Sequence, residues 1–341
     1  LTSARHIFRD VPLERLVLGI YHLDDLSTGT DAQSFALQPF YGIGPWTSSA
    51  LPDWHRTQLQ DAQRAGIDSV LIPLQSVSPD ESKALQAVVA ALKTLSANNV
   101  SYPLLTPMFQ FQDGEFSKEA LWERLKLFID QIPAKYRVTL RLPHSRGAGA
   151  ALPVFLDAGT STLSPDDRNW LNDRLKQYSG AELLLVAHGS STGDWADGFL
   201  PALPSGSAYA VSEDSWLSVA RISPGYIRQG AVLSRKAGDT YRNAWASLAE
   251  SEPHWVVIDS INNWKDATAI GASAQFGYLY LDLSAIEVSR FNGMREWGAK
   301  FVYSSIPPYV NAQNLSLATL GVRNSGSRAW RVGDNVRLAY R

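Results

Sequence analysis

Asp266 stands three residues after Asn263 in the polar stretch Ser260-Ile261-Asn262-Asn263-Trp264-Lys265-Asp266-Ala267-Thr268-Ala269-Ile270-Gly271. That stretch directly follows Trp255-Val256-Val257-Ile258, a short apolar run that reads as a buried strand. A strand that empties into a polar loop is where a parallel barrel keeps its chemistry. Asp266 can give or take a proton, so it is a candidate acid/base. The amide of Asn263 cannot accept one at neutral pH. Two-carboxyl chemistry would therefore have to draw its second group from elsewhere. Asp24 and Asp25 follow one apolar run, Asp157 another, and Glu213 and Asp214 a third. For any one of these, a solvated loop carboxylate or a helix cap is the commoner role.

Aromatic residues are abundant, with 11 Trp, 13 Tyr and 12 Phe. They fill cores, and they also stack on the flat faces of sugars. Trp46, Trp54, Trp195, Trp216 and Trp264 lie beside Gly, Pro, Asp or Ser in loop-like surroundings. Tyr21, His22 and Tyr226 are candidate groove residues with hydroxyls or a ring to offer. Trp46, Trp216 and Trp264 join them as candidate substrate contacts.

Other chemistries find little footing. His22, His55, His144 and His188 are scattered without metal-ligand spacing, so neither a metal nor a cofactor is expected. Gly189-Ser190-Ser191-Thr192-Gly193 lacks the pattern of a nucleophile elbow. The loop Ser145-Arg146-Gly147-Ala148-Gly149 lacks phosphate-loop spacing and reads as a connector. No cysteine is present, which excludes disulfides and thiolate chemistry. A net charge of −2 gives no basic excess for nucleic acid. The apolar run Leu183-Leu184-Leu185-Val186 is far too short to span a membrane. The chain starts at Leu1 without a signal-peptide pattern, which reads as a processed fragment.

The elements that would position these residues alternate between apolar runs and amphipathic stretches, the signature of βα units. Strands are expected at 16–21, 69–73, 102–111, 152–156, 183–187, 208–211, 218–222 and 255–258. Helices are expected at 54–65, 82–97, 118–132, 165–178, 241–250 and 285–291. The third-and-fourth spacing of Leu85, Val88, Val89, Leu92 and Leu95 marks a helix face. Ser164 before Pro165-Asp166-Asp167 is a helix start. Eight strands with intervening helices predict an α/β fold, a (β/α)8 TIM barrel, over residues 1–296.

Beyond residue 296 the pattern turns β-like, with strands expected at 301–303, 315–322 and 336–340. The segment Gly321 to Trp330 resembles the N-x-G-x-x-x-W signature of immunoglobulin-like modules. A complete module needs roughly 100 residues, and 297–341 supplies about 45. It is therefore read as the N-terminal strands of an incomplete β-sandwich. Either further chain follows, or a strand from another protomer completes the sheet by self-assembly.

The Ser260 to Gly271 stretch resembles the S-x-N-E-W-x-E-G-T-x-I-E segment of glycoside hydrolase family 99-like barrels, which include endo-α-mannosidases. Further segments carry the likeness. They are Gly42 to Ser49, Trp54 to Asp68, the turn Ser223-Pro224-Gly225-Tyr226, the spaced Arg235, Gly238, Tyr241 and Trp245, and Gly277 to Phe291. Together they span roughly residues 16 to 293.

The resemblance implies a TIM barrel, a polysaccharide or glycan ligand and an extracellular or cell-surface setting in a bacterium. It also implies catalysis by two glutamates, the first serving as base for the sugar's own 2-hydroxyl. Here Asn263 stands in place of that base, and Asp266 in place of the second glutamate. Ala267 and Gly271 replace a further glycine and glutamate, and Pro73 to Val77 replaces a tryptophan-rich loop. Glycoside cleavage ordinarily needs two carboxyl groups. The expectation is therefore a barrel with a degenerate active site that binds glycans or serves as a structural module. The alternative is an active hydrolase that pairs Asp266 with a second carboxylate such as Asp24, Asp25 or Glu213.

Overall fold

The computed structural model describes residues 15–23, 36–40, 51–75, 78–112, 114–141, 150–159, 162–189, 195–212, 215–228, 231–293, 299–304 and 320–324. Its strands are β1 (Leu16–Ile20), β2 (Ser69–Leu74), β3 (Leu104–Gln110), β4 (Leu140–Arg141), β5 (Ala150–Asp157), β6 (Ala181–His188) and β7 (Gly198–Leu200). They continue with β8 (Tyr209–Ser212), β9 (Val219–Ile222), β10 (Tyr226–Arg228), β11 (Ala231–Leu233), β12 (Trp255–Ile258), β13 (Ala299–Ser304) and β14 (Leu320–Asn324). The helices are α1 (Pro52–Arg64), α2 (Pro79–Ala97), α3 (Lys118–Gln131), α4 (Pro165–Ser179), α5 (Asp239–Ser251) and α6 (Leu279–Phe291).

Eight of these strands are the staves of a barrel. In order they are β1, β2, β3, β5, β6, β7, β9 and β12, the ladders between neighbours are parallel, and β12 pairs back onto β1. The β7 to β9 seam is joined by one parallel bridge, Gly198 to Leu217. This is the expected TIM-barrel architecture, with one correction. The expected sixth stave at 208–211 is β8, which runs antiparallel on β9 at the sheet's edge. The sixth stave is instead β7, three residues long and too short to show any periodicity. Among the described residues no helix lies between β6 and β7 or between β7 and β9.

Two apolar clusters follow from strand alternation. Leu16, Leu18, Ile20, Met108, Phe155, Val186, Val219 and Val257 belong to the cluster filling the barrel. Val17, Tyr21, Val70, Ile72, Val154, Ala220, Val256 and Ile258 belong to the one packed against the helices. The helices start where local chemistry dictates. Ser78 accepts from Glu81 N ahead of Pro79, and Ser164 accepts from Asp167 N ahead of Pro165. The last helix begins six residues before the expected position because Tyr280, Leu281 and Leu283 are also buried.

Strands β13 and β14 form an antiparallel pair. The strand expected at 336–340, and the loops 42–49 and 145–149, lie outside the described residues. Among the described residues no helix is long and apolar enough to cross a membrane, and no group of side chains could hold a metal ion.

Candidate functional site

The alternation that fills the barrel also dictates its mouth. One step beyond the inward-facing Ile20, Met108, Phe155, Val186, Val219 and Val257 come His22, Gln110, Asp157, His188, Arg221 and Asp259. Beyond β2, Gln75 takes the same place beside Gln110, to whose Oε1 its Nε2 donates at 3.3 Å. An apolar column is thus capped by a polar layer at the C-terminal ends of the strands, the end where barrels of this kind act.

These side chains form a connected chain across the mouth. His188 Nδ1 lies 3.4 Å from Asp157 Oδ1. On its other side His188 Nε2 is 2.9 Å from Arg221 Nη1. A guanidinium can only donate, so Nε2 is the acceptor and Nδ1 carries the proton facing Asp157. Arg221 Nη2 donates to Asp259 Oδ2 at 2.8 Å, and Arg228 Nη2 donates to the same oxygen at 2.9 Å. Arg228 Nε then lies 3.5 Å from Asp266 Oδ2. Burial alone would raise the carboxyl of Asp259, which is 1% exposed, but Arg221 and Arg228 outweigh it and hold it at about 2. The His188 contact holds Asp157 below the ordinary carboxylate range against opposing burial.

The loop after β12 is fixed from several sides. The Asn262 side chain accepts from His22 N at 2.8 Å and donates to His22 O at 3.0 Å, fastening the loop to the end of β1. Asn263 N donates to Ser260 Oγ at 2.8 Å. Asn263 Nδ2 donates to Asp266 Oδ2 at 3.1 Å, and Asp266 N donates back to Asn263 Oδ1 at 3.0 Å. From outside, Arg235 Nη2 donates to Ala267 O and Ala269 O, each at 2.7 Å. The β10–β11 hairpin leans on the same loop, with Ile227 N donating to Asp266 O at 2.8 Å. Gly225 lets the hairpin leave the barrel. Its φ is +143°, and a Cβ there would lie 2.7 Å from both Leu233 O and Arg235 Cγ.

Several expected groove residues prove to be core. Trp264 is fully buried against Leu37, Ala267 and Ala269, so it has no face for a sugar. Its position is set by Gly271, where a Cβ would sit 2.7 Å from Trp264 Cη2 and 3.0 Å from Ile261 O. Tyr21 points outward from the barrel, because its parity in β1 is that of Val17. It is fully buried, with its hydroxyl 2.6 Å from His55 Nδ1. Tyr226 is buried, and its hydroxyl accepts from Gly206 N at 2.7 Å. Trp216 is half-buried and donates from Nε1 to Asp197 at 3.2 Å. Trp46, Asp24, Asp25 and Glu213 lie outside the described residues. Of the remaining candidates, His22, Asn263 and Asp266 do come to the mouth.

Asp259, Arg221 and Arg228 were missed by motif and loop reasoning. The alternation of Val219-Ala220-Arg221 and Val257-Ile258-Asp259 could have found two of them, since each strand places a charge on its inward parity. Arg228 had no such signal, because it arrives from a hairpin outside the barrel.

No protein-family model matches the chain, and no curated protein matches it. Solved structures do resemble it. The GH99 endo-alpha-mannosidase from Bacteroides thetaiotaomicron in complex with BIS-TRIS-Propane matches with a TM-score of 0.56 at 13% identity, over 82% of this chain and 98% of that chain. A second structure of the GH99 endo-alpha-mannosidase from that bacterium matches with a TM-score of 0.56 at 12% identity, over the same shares. At such identity the likeness concerns the fold.

Proposed function

We propose that this barrel binds glycans at its mouth and that its motif loop no longer performs glycoside cleavage. The observation that carries the reading is the engagement of Asp266. Its carboxylate accepts from Asn263 Nδ2 and faces Arg228, so it is engaged in holding its own loop. The neighbouring position, resembling the family's base, offers an amide that cannot take a proton. Glycan binding draws support from the barrel's likeness to a glycosidase and from the polar layer at its mouth. Planar amide, carboxylate, imidazole and guanidinium groups on separate strands suit the paired hydroxyls of a sugar.

We read the setting as extracellular and residues 297–341 as the opening strands of an immunoglobulin-like module. In that reading a second protomer could supply the strands that complete it, which sedimentation of the purified chain would reveal as a dimer.

A second reading has one observation in its favour. Asp157 is held ionised beside His188 and its side chain is 29% exposed, as a base or nucleophile requires. A rebuilt hydrolase would pair it with Asp266.

Incubation with a panel of α-mannans and bacterial polysaccharides separates the two readings. Calorimetry should register binding, while no new reducing ends should form. Reducing ends that vanish in both Asp157→Asn and Asp266→Asn would overturn the binding-only reading in favour of the hydrolase.

A further inference from the structure

Among the described residues the mouth holds two guanidiniums, and both are turned onto one carboxylate. Arg221 divides its donors between His188 and Asp259, and Arg228 divides its own between Asp259 and the neighbourhood of Asp266. Both converge on one oxygen of a carboxylate whose side chain is 2% exposed. Two arginines against Asp157, Asp259 and Asp266 leave one net negative charge. The carboxylates that remain partly open are those of Asp157 and Asp266, at 29% and 35% exposure. Hydroxyl groups can donate to such acceptors. Among the described residues an anionic group would meet net negative charge and would have to compete with Asp259 and Asp266 for the arginines.

We infer that Asp259 is the specificity-determining residue of the mouth. By holding Arg221 and Arg228 it makes the site take uncharged glycans and turn away those bearing uronate, sulfate or phosphate groups. This rests on the reading of the mouth as a glycan site and deepens it. Asp259 stands directly before the motif, where it touches no ligand and acts through the two arginines it positions. Without its charge, two guanidiniums would share an amide oxygen and Asp266. A guanidinium so released is a planar fork suited to a carboxylate or a phosphate.

The test compares the full chain with Asp259→Asn by titration calorimetry at pH 7 and low ionic strength. Thermal unfolding first establishes that the variant is folded, and Asp259→Ser is the substitute if it is not. The probes are glucose, sodium glucuronate, inorganic phosphate, and a neutral and a uronate-bearing oligosaccharide of equal length. The wild type should prefer the neutral oligosaccharide by about tenfold or more, and the variant should gain about tenfold or more for glucuronate or phosphate.

A folded variant with wild-type affinity for both anions would overturn the inference. So would a wild type that binds the uronate oligosaccharide as well as the neutral one. Anion capture by the variant, with no sugar bound by the wild type, would uphold the role of Asp259 in sequestering the arginines and sink the glycan reading. The two failures are thereby told apart.

Discussion

Asn263 and Asp266 hydrogen-bond each other in both directions, side chain to side chain at 3.1 Å and main chain to side chain at 3.0 Å. The pair therefore closes a turn as well as occupying the position of greatest chemical interest. Ser260 Oγ accepts from Asn263 N, and the carbonyl of Asn263 accepts from Thr268 N and Ala269 N. A residue at position 263 that cannot serve both roles of the amide loses the turn.

Asn263→Glu tests this directly. It restores a carboxyl at the position resembling the family's base, yet it sets two carboxylates side by side and deletes the donor to Asp266. Stability should fall by about 1–3 kcal/mol, measured by urea unfolding. No reducing ends should appear with any α-mannan, because Asp266 stays bound to Arg228. Release of reducing ends by this single variant would show that the loop retains a working acid.

Arg235 holds the same loop from outside. It is 8% exposed, it bonds two carbonyls, and its guanidinium lies 4.3 Å from the ring centre of Tyr280. Burial brings it down to about 10, so it is charged at neutral pH. Arg235→Met leaves the Ala267 and Ala269 carbonyls without that donor and should cost about 2–4 kcal/mol. Glycan affinity should fall with it, since Asp266 rides on the freed segment. A variant as stable as the wild type in urea would show that the clamp is dispensable.

The barrel was legible because its staves are apolar on both faces and a helix start such as Ser164-Pro165 is clear, although Ser78-Pro79 starts its helix three residues before the expected position. The mouth was half legible. Parity along β9 and β12 fixes the inward direction of Arg221 and Asp259, which no motif contains. Loop composition misled at Trp264, whose polar neighbours suggested exposure. The ring is instead buried under the chain reversal at Gly271, and a contact between residues seven apart in a loop leaves no periodic trace. Stave β7 was invisible because three residues, Gly198-Phe199-Leu200, carry too little pattern. Its identity comes from pairing with β6 and from the bridge to Leu217.

That reversal gives a sharp packing test. Gly271→Ala forces a methyl carbon to within 2.7 Å of Trp264 Cη2 and 3.0 Å of Ile261 O. One neighbour is a ring in a closed pocket and the other is main chain, so neither yields cheaply. Overpacking of this kind costs about 1–3 kcal/mol. Calorimetric unfolding should show a lowered midpoint, and the fluorescence of Trp264 should shift as its pocket opens. An unchanged midpoint would mean that the loop breathes enough to admit a methyl group.

Two buried carboxyls pull the response to pH in opposite directions. Asp61 is 7% exposed on α1, and its Oδ2 has no hydrogen-bond partner among the described residues. Burial pushes it from 3.8 up to about 6, with Arg64 opposing. The folded protein then keeps a proton that the unfolded chain has already lost. Stability therefore falls as pH rises from about 4 to about 6, by about 3 kcal/mol for two units. Asp259 runs the other way, from 3.8 down to about 2. Its contribution is present above about pH 4 and is lost as pH falls toward 2. The contributions of these two groups are jointly greatest near pH 4. Asp61→Asn removes the upper slope and should stabilise the protein at pH 7 by about 1–3 kcal/mol while leaving the acid limb intact. Urea midpoints taken from pH 3 to pH 8 on both proteins decide it. Parallel curves would mean that Asp61 is ionised at no cost in the fold, with a donor satisfying its open oxygen.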